Sequence, residues 1–170
     1  PLDGRTLVAG KCRLLSIMAG MYTPNNTHKE FNIVKDVASA QKVFAEWPTP
    51  IVASGYEIGC AIMFPAVSIE RDFAYVEHHP LREAYGLYRK MPYDRETWDL
   101  TSALYAVRSD RGYFGLSRPG TIEVGDDGLT RFVPSPEGRH RYLSVDEQQI
   151  QRVREALIHL ASQPPASAGQ

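Results

Sequence analysis

A chain of 170 residues, 43% of them hydrophobic, can bury one sizeable core, which suits a single domain or a large part of one and excludes two independent domains. Lys+Arg 19 against Asp+Glu 20 leaves a net charge of -1, which argues against an electrostatic surface for nucleic acid or membrane. The expected partner is a small molecule or another protein.

No apolar run reaches the length of a bilayer span, and Pro1-Leu2-Asp3-Gly4-Arg5 carries no signal-peptide pattern. A cytoplasmic location is the default expectation. The absence of an initiator Met leads us to expect a processed chain or one lying within a longer protein. Cys12 and Cys60 lack C-x-x-C spacing and read as ordinary buried thiols.

In chain order, Leu14 to Gly20 is a short apolar run ending in glycine, the pattern of a buried strand that delivers the chain to a loop. That loop, Met21 to Asn32, leaves the C-terminal end of the strand, where open α/β sheets bind ligands. Asp36 reads as the N-cap of a helix in which Val37, Ala40, Val43, Phe44 and Trp47 recur at helical spacing until Pro48. Pro50 to Gly55 follows as a second buried strand, so the unit is βαβ and a parallel sheet is predicted.

Tyr56 to Phe64 and Pro80 to Lys90 are predicted helices, the second with Leu81, Ala84, Tyr85 and Tyr88 on one side. His78 and His79 read as residues at its start. Trp98, Leu100, Thr101, Leu104 and Tyr105 predict a further helix, with Asp99 in its first turn. From Gly112 onward, short apolar segments between Gly- and Pro-rich turns predict small antiparallel strands, and Arg139-His140-Arg141 reads as an exposed basic turn. A last helix begins at Val145, capped by Ser144 and Glu147. The expected fold class is α/β: an open, largely parallel sheet with flanking helices, then small antiparallel strands. Residues 1–163 belong to one domain and 164–170 form a disordered tail.

Glu30 and Asn32 stand two residues apart in backbone expected to be extended, so both side chains point one way while Phe31 points into the core. Such a pair suits a polyol, because the carboxylate accepts from hydroxyls and the amide both donates and accepts. On an arbitrary loop the same pair more often stabilises a turn or a helix start.

The run Glu30-Phe31-Asn32-Ile33-Val34-Lys35-Asp36, then Ala40, Val43-Phe44 and Pro50-Ile51-Val52, resembles a segment of the nucleoside hydrolase family, the inosine-uridine preferring enzymes and their relatives. Trp98-Asp99-Leu100 with Ala103 falls where that family places a metal-binding Asp at a helix start. The resemblance extends from Leu14 to the final helix and implies the C-terminal part of such a domain, with a Rossmann-like core. It further implies that Glu30 and Asn32 bind ribose hydroxyls and that Asp99 is one ligand of Ca²⁺. Asn26 is the counterpart of the Asn that precedes the Glu-Phe-Asn segment, with Asn25 as the alternative.

Two features depart from the family. Its aspartate-rich loop near the N-terminus has no match, so Asp99 stands almost alone against the six to eight oxygen ligands that calcium prefers. Trp98 occupies the place of a His that many members use on the leaving group; indole donates no proton at useful pKa but can stack on a base. The implied activity is hydrolysis of a nucleoside's N-glycosidic bond, incomplete in this chain alone. A homo-oligomer, or a need for the missing N-terminal region, is expected with it. The alternative expectation is a non-catalytic ligand-binding or subunit-interaction domain on the same fold.

Overall fold

A computed structural model of the protein describes residues 2–164, so the expected tail lies outside it apart from Pro164. The first half runs α1 (Gly4–Lys11), β1 (Leu15–Met18), α2 (Phe31–Lys35), α3 (Val37–Glu46), β2 (Ile51–Ser54), α4 (Tyr56–Ala61), β3 (Met63–Phe64) and α5 (Ala66–Arg71). The second runs α6 (Pro80–Tyr88), β4 (Arg95–Glu96), α7 (Trp98–Arg108), β5 (Gly115–Leu116), β6 (Gly120–Val124), β7 (Thr130–Pro134), β8 (His140–Ser144) and α8 (Glu147–Ser162).

The βαβ reading holds: β1 pairs with β2 in parallel, Leu15 opposite Ile51 and Met18 opposite Ser54, with α3 in the crossover. β8 joins the other side of β2, also in parallel, and antiparallel β5, β6 and β7 extend the sheet beyond it. The result is the expected mixed α/β fold, a largely parallel sheet flanked by helices. All four residues of β2 are buried, the pattern of a parallel strand covered on both faces. Val52 and Leu143 face a core with Phe73, Val153 and Leu157, whereas Ile51 and Ala53 face Phe44 and Ile122. β1 is the sheet's edge, bonded to β2 alone. No helix among the described residues is long and apolar enough to cross a membrane.

Several local expectations change. Residues Gly4–Lys11 form a helix that the apolar pattern does not announce, because it buries no residue and is started by Asp3, whose carboxylate accepts from Thr6 N at 3.0 Å. Met63-Phe64 leaves the predicted helix to pair with Arg95-Glu96. The final helix starts two residues later than expected, since the capping box is Asp146 with Gln149 rather than Ser144 with Glu147. α6 forms where its spacing predicts, yet it buries nothing, and Leu87 is 89% exposed.

Arg139-His140-Arg141 is no exposed turn: His140 opens β8, is buried, and accepts from Ile122 N at Nδ1 over 2.9 Å. Burial, with Arg139 adding, holds its imidazole below the ordinary value of 6.5. The unfolded chain therefore binds the proton more readily, and this contribution to stability is intact above 6.5 and lost as pH falls through the folded value. Urea unfolding should show stability declining below pH 6.5 more steeply in the wild type than in His140→Asn. Identical pH profiles for the two proteins would overturn this assignment.

Candidate functional site

The site grows from the C-terminal end of β1, where the chain turns at Gly20 with φ +75. A Cβ there would come within 2.7 Å of the Tyr22 hydroxyl and 2.8 Å of Thr130 Oγ1, so the position requires glycine on both conformational and steric grounds. The Gly20 carbonyl accepts from Tyr56 N at 2.8 Å, and its N–H donates to Glu30 Oε2 at 3.1 Å.

Glu30 itself is extended, at φ -66 and ψ 137, but the expected extended stretch ends there because Phe31 and Asn32 are helical. It is the N-cap of α2: Oε1 accepts from Asn32 N at 2.9 Å and Oε2 from Ile33 N at 3.3 Å. The carboxylate is 3% exposed, and with Gly20 N it takes three backbone donors of roughly four that two carboxylate oxygens accommodate. Because residue 31 opens a helix, Phe31 points to solvent at 64% exposure instead of into the core. Asn32 still faces the site. Its Nδ2 donates to Met18 O and Met18 Sδ, which leaves its carbonyl oxygen as a free acceptor.

Asp99 arrives from the other side of the sequence, in the first turn of α7. Polar pins fix that turn: Thr97 Oγ1 donates to Ile62 O at 2.8 Å, Thr101 Oγ1 to Trp98 O at 2.7 Å, and Ser54 Oγ lies 2.6 Å from Thr101 Oγ1. Ser16 Oγ of β1 donates to Ser102 O at 2.7 Å, one turn further on. Gly59 has no Cβ, so the Trp98 indole packs directly on α4.

Glu30, Asn32, Trp98 and Asp99 line one cavity of about 380 Å³. This volume lies within the range of small-molecule sites. Trp98 stacks on Tyr56 with centroids 5.1 Å apart, and His28 lies against the far face of this pair, 4.1 Å from Tyr56. Asn26 is not brought in. Its Nδ2 donates to Met21 O, its Oδ1 accepts from His28 N, and it lines a separate cavity with Tyr22 and Tyr142. Asn25, at φ 57, lines that same cavity.

A Ca²⁺ site is not completed by this donor set. Among the described residues no three His, Cys, Asp or Glu side chains cluster, and Glu30 is largely committed to backbone. Asp99 contributes one carboxylate to the cavity wall.

Arg95 and Tyr88 complete the cavity wall and were not marked by the sequence pattern. Glu57 was also missed. It lies under the Gly20–Tyr22 turn, accepting from Tyr22 N at 3.3 Å, while its Oε2 is buried without a partner. A lone Glu in a short helix gives no sequence signal for this.

No protein-family model matches the chain, and no curated protein matches its sequence. Solved structures do match. A plant nucleoside hydrolase superimposes with a TM-score of 0.65 at 17% identity, covering 89% of this chain and 54% of that one. The inosine-uridine preferring nucleoside hydrolase from Bacillus anthracis gives 0.56 at 14% identity, over 90% of this chain and 53% of that one. An inosine-guanosine nucleoside hydrolase gives 0.58 at 14%, over 84% and 50%. The shared property is the fold, and this chain spans about half the length of each.

Burial raises the Glu57 carboxyl above the ordinary value of 4.5. The folded protein therefore holds that proton more tightly than the unfolded chain, and stability falls as pH rises from 4.5 through the folded value. Urea unfolding of Glu57→Gln, which cannot ionise, should show its stability relative to wild type growing over that window and levelling off above it. A difference that does not vary with pH would exclude this burial effect.

Proposed function

We propose that this chain is the sugar- and base-binding part of an enzyme that hydrolyses the N-glycosidic bond of a nucleoside to ribose and free base. What carries the reading is a set of acceptors around one cavity: the remaining capacity of Glu30 Oε1, the Asn32 carbonyl oxygen and the Asp99 carboxylate, beside the Trp98–Tyr56 face. Ribose hydroxyls are donors that such acceptors recognise, and a flat base is what an aromatic face holds. Similarity in fold to nucleoside hydrolases supports it.

Breaking this bond develops positive charge on the sugar, which the Glu30 and Asp99 carboxylates would stabilise from fixed positions. The reading also assigns Asp99 as one oxygen ligand of a Ca²⁺ ion. No cluster of three His, Cys, Asp or Glu side chains among the described residues supplies the others, so no step is drawn through the metal. Trp98 stacks on the base in place of a proton donor. Completion of the catalytic site falls to further chain or to a second subunit.

A binding-only domain is the second reading, favoured by the three backbone N–H groups that Glu30 already satisfies. Titration calorimetry with ribose and inosine in the presence of Ca²⁺ tests the site itself. Asn32→Ala and Asp99→Ala should each weaken ribose binding by about tenfold or more, near 1.4 kcal/mol, whereas Leu87→Ala on exposed α6 should not. No ribose binding by the wild type, or indifference to both substitutions, removes the proposal. The chain alone with Ca²⁺ should not turn over inosine; turnover that appears only when the remaining part of a nucleoside hydrolase-like domain is supplied would separate the enzyme reading from the binding-only one.

A further inference from the structure

α6 has few means of staying in place. None of its residues is fully buried, and its first turn opens on Pro80, which has no N–H to donate. The next N–H, that of Leu81, donates to Nδ1 of His79 at 3.3 Å, so an imidazole stands where a hydroxyl, amide or carboxylate usually caps a helix. His79 is 7% exposed, and the Phe73 and Tyr75 rings stand at steep angles to it with centroids 4.5 and 5.4 Å away.

The partners fix the tautomer. The Leu81 N–H can only donate, so Nδ1 carries a lone pair and the neutral ring holds its proton on Nε2. There it meets the Tyr75 oxygen at 3.1 Å, and the Tyr75 hydroxyl donates in turn to the backbone oxygen of Gln163, at the end of α8, over 3.4 Å. A chain of donors pointing one way thus runs from the first turn of α6 to the end of α8. Protonating His79 puts a second N–H at Nδ1, facing the Leu81 N–H donor against donor, in a buried setting where an unmet polar group is costly.

Tyr75 is the titratable group in contact with this imidazole. Around that contact lie His78 and Glu83, paired with each other over 2.7 Å at the surface, and Asp72, which accepts from Ser68 Oγ at 2.6 Å. Beyond Tyr75, His159 of α8 lies 2.6 Å from the Gln163 side-chain nitrogen. The side chain that caps α6 is that of His79.

We propose that His79 is a pH-sensitive latch on α6: neutral, it caps the helix and ties it through Tyr75 to the end of α8; protonated, it releases the Leu81 N–H and lets the first turn fray. With so little of the helix buried, packing does not absorb the loss of its cap. The effect reaches the cavity of the functional site, because the other end of α6 carries Tyr88, whose ring centre lies 4.0 Å from the Arg95 guanidinium carbon. The latch does not depend on which ligand that cavity takes.

Amide hydrogen exchange of the chain, read residue by residue by NMR over about pH 5–8, tests this on the wild type, His79→Asn and His78→Gln. Asparagine caps a helix without titrating. Measured against His79→Asn at the same pH, the wild-type amides of α6 should exchange about fivefold faster at the acid end of the range than at the alkaline end, the equivalent of one ordinary cap. The midpoint of that change should coincide with the titration of the His79 ring resonances, and His78→Gln should keep the response. A ratio that stays flat while the His79 ring titrates, a ring that stays neutral across the whole range, or a response that disappears in His78→Gln would each overturn the latch. Should His79→Asn not fold, the wild type still decides: the Leu81 and Tyr88 amide shifts must follow the His79 midpoint, and shifts that titrate elsewhere or not at all sink the assignment.

Discussion

The buried carboxylate of Glu30 is the joint on which the site is hung. It gathers the N–H of Gly20 at the end of β1 and the N–H groups of Asn32 and Ile33 at the start of α2, so one side chain closes the twelve-residue excursion that its own chain makes across the sheet edge. A truncated side chain would leave three donors without that partner, and each buried orphan costs about 1–3 kcal/mol. The direction of Asn32, and hence its free carbonyl oxygen, follows from this cap. The left-handed turn at Gly20 is held from both sides, by Glu30 on its N–H and by Tyr56 on its carbonyl.

The other half of the site is fixed by different means. Hydroxyl groups of Ser16, Ser54, Thr97 and Thr101 tie the first two turns of α7 to β1, to β2 and to the end of α4. These bonds lie in buried or part-buried surroundings, where an unmet polar group is costly, so they specify the placement of Trp98 and Asp99 more sharply than apolar packing alone. Residues 30–32 and 95–99 are far apart in sequence and line one cavity, the first following β1 and the second held at the start of α7, which is bonded to Ser16 of β1 and Ser54 of β2.

Much of this architecture could be read in advance. β1, β2, α3 and α7 follow from apolar periodicity, from Asp36 as a cap and from Pro48 as a stop, and these four elements position the cavity. What escaped was decided by hydrogen bonds that periodicity does not encode. Asp3 starts a helix without an apolar stripe, and Glu30 turns an expected extended stretch into a helix start, sending Phe31 outward. His140 escaped because two flanking arginines disguise a strand that lies beside β2. Convergence of Glu30, Asn32 and Asp99 followed from the resemblance; the place of Asn26 did not, because its side chain is occupied in bracing its own loop.

The exposed helix α6 gives this arrangement an asymmetry. Its last residue, Tyr88, supports Arg95, yet no residue of the helix is fully buried, and its tie to the body runs through its own half-buried Tyr85, which packs against the core and stacks on Tyr93 at 5.5 Å. Segments with so little buried surface exchange their amide hydrogens through local openings that cost little. A molecule lodged against both Arg95 and the α7 terminus would bridge a thinly packed helix to a firmly anchored one. Part of its binding free energy would then go into ordering α6, and occupancy would be felt as slower exchange along that helix.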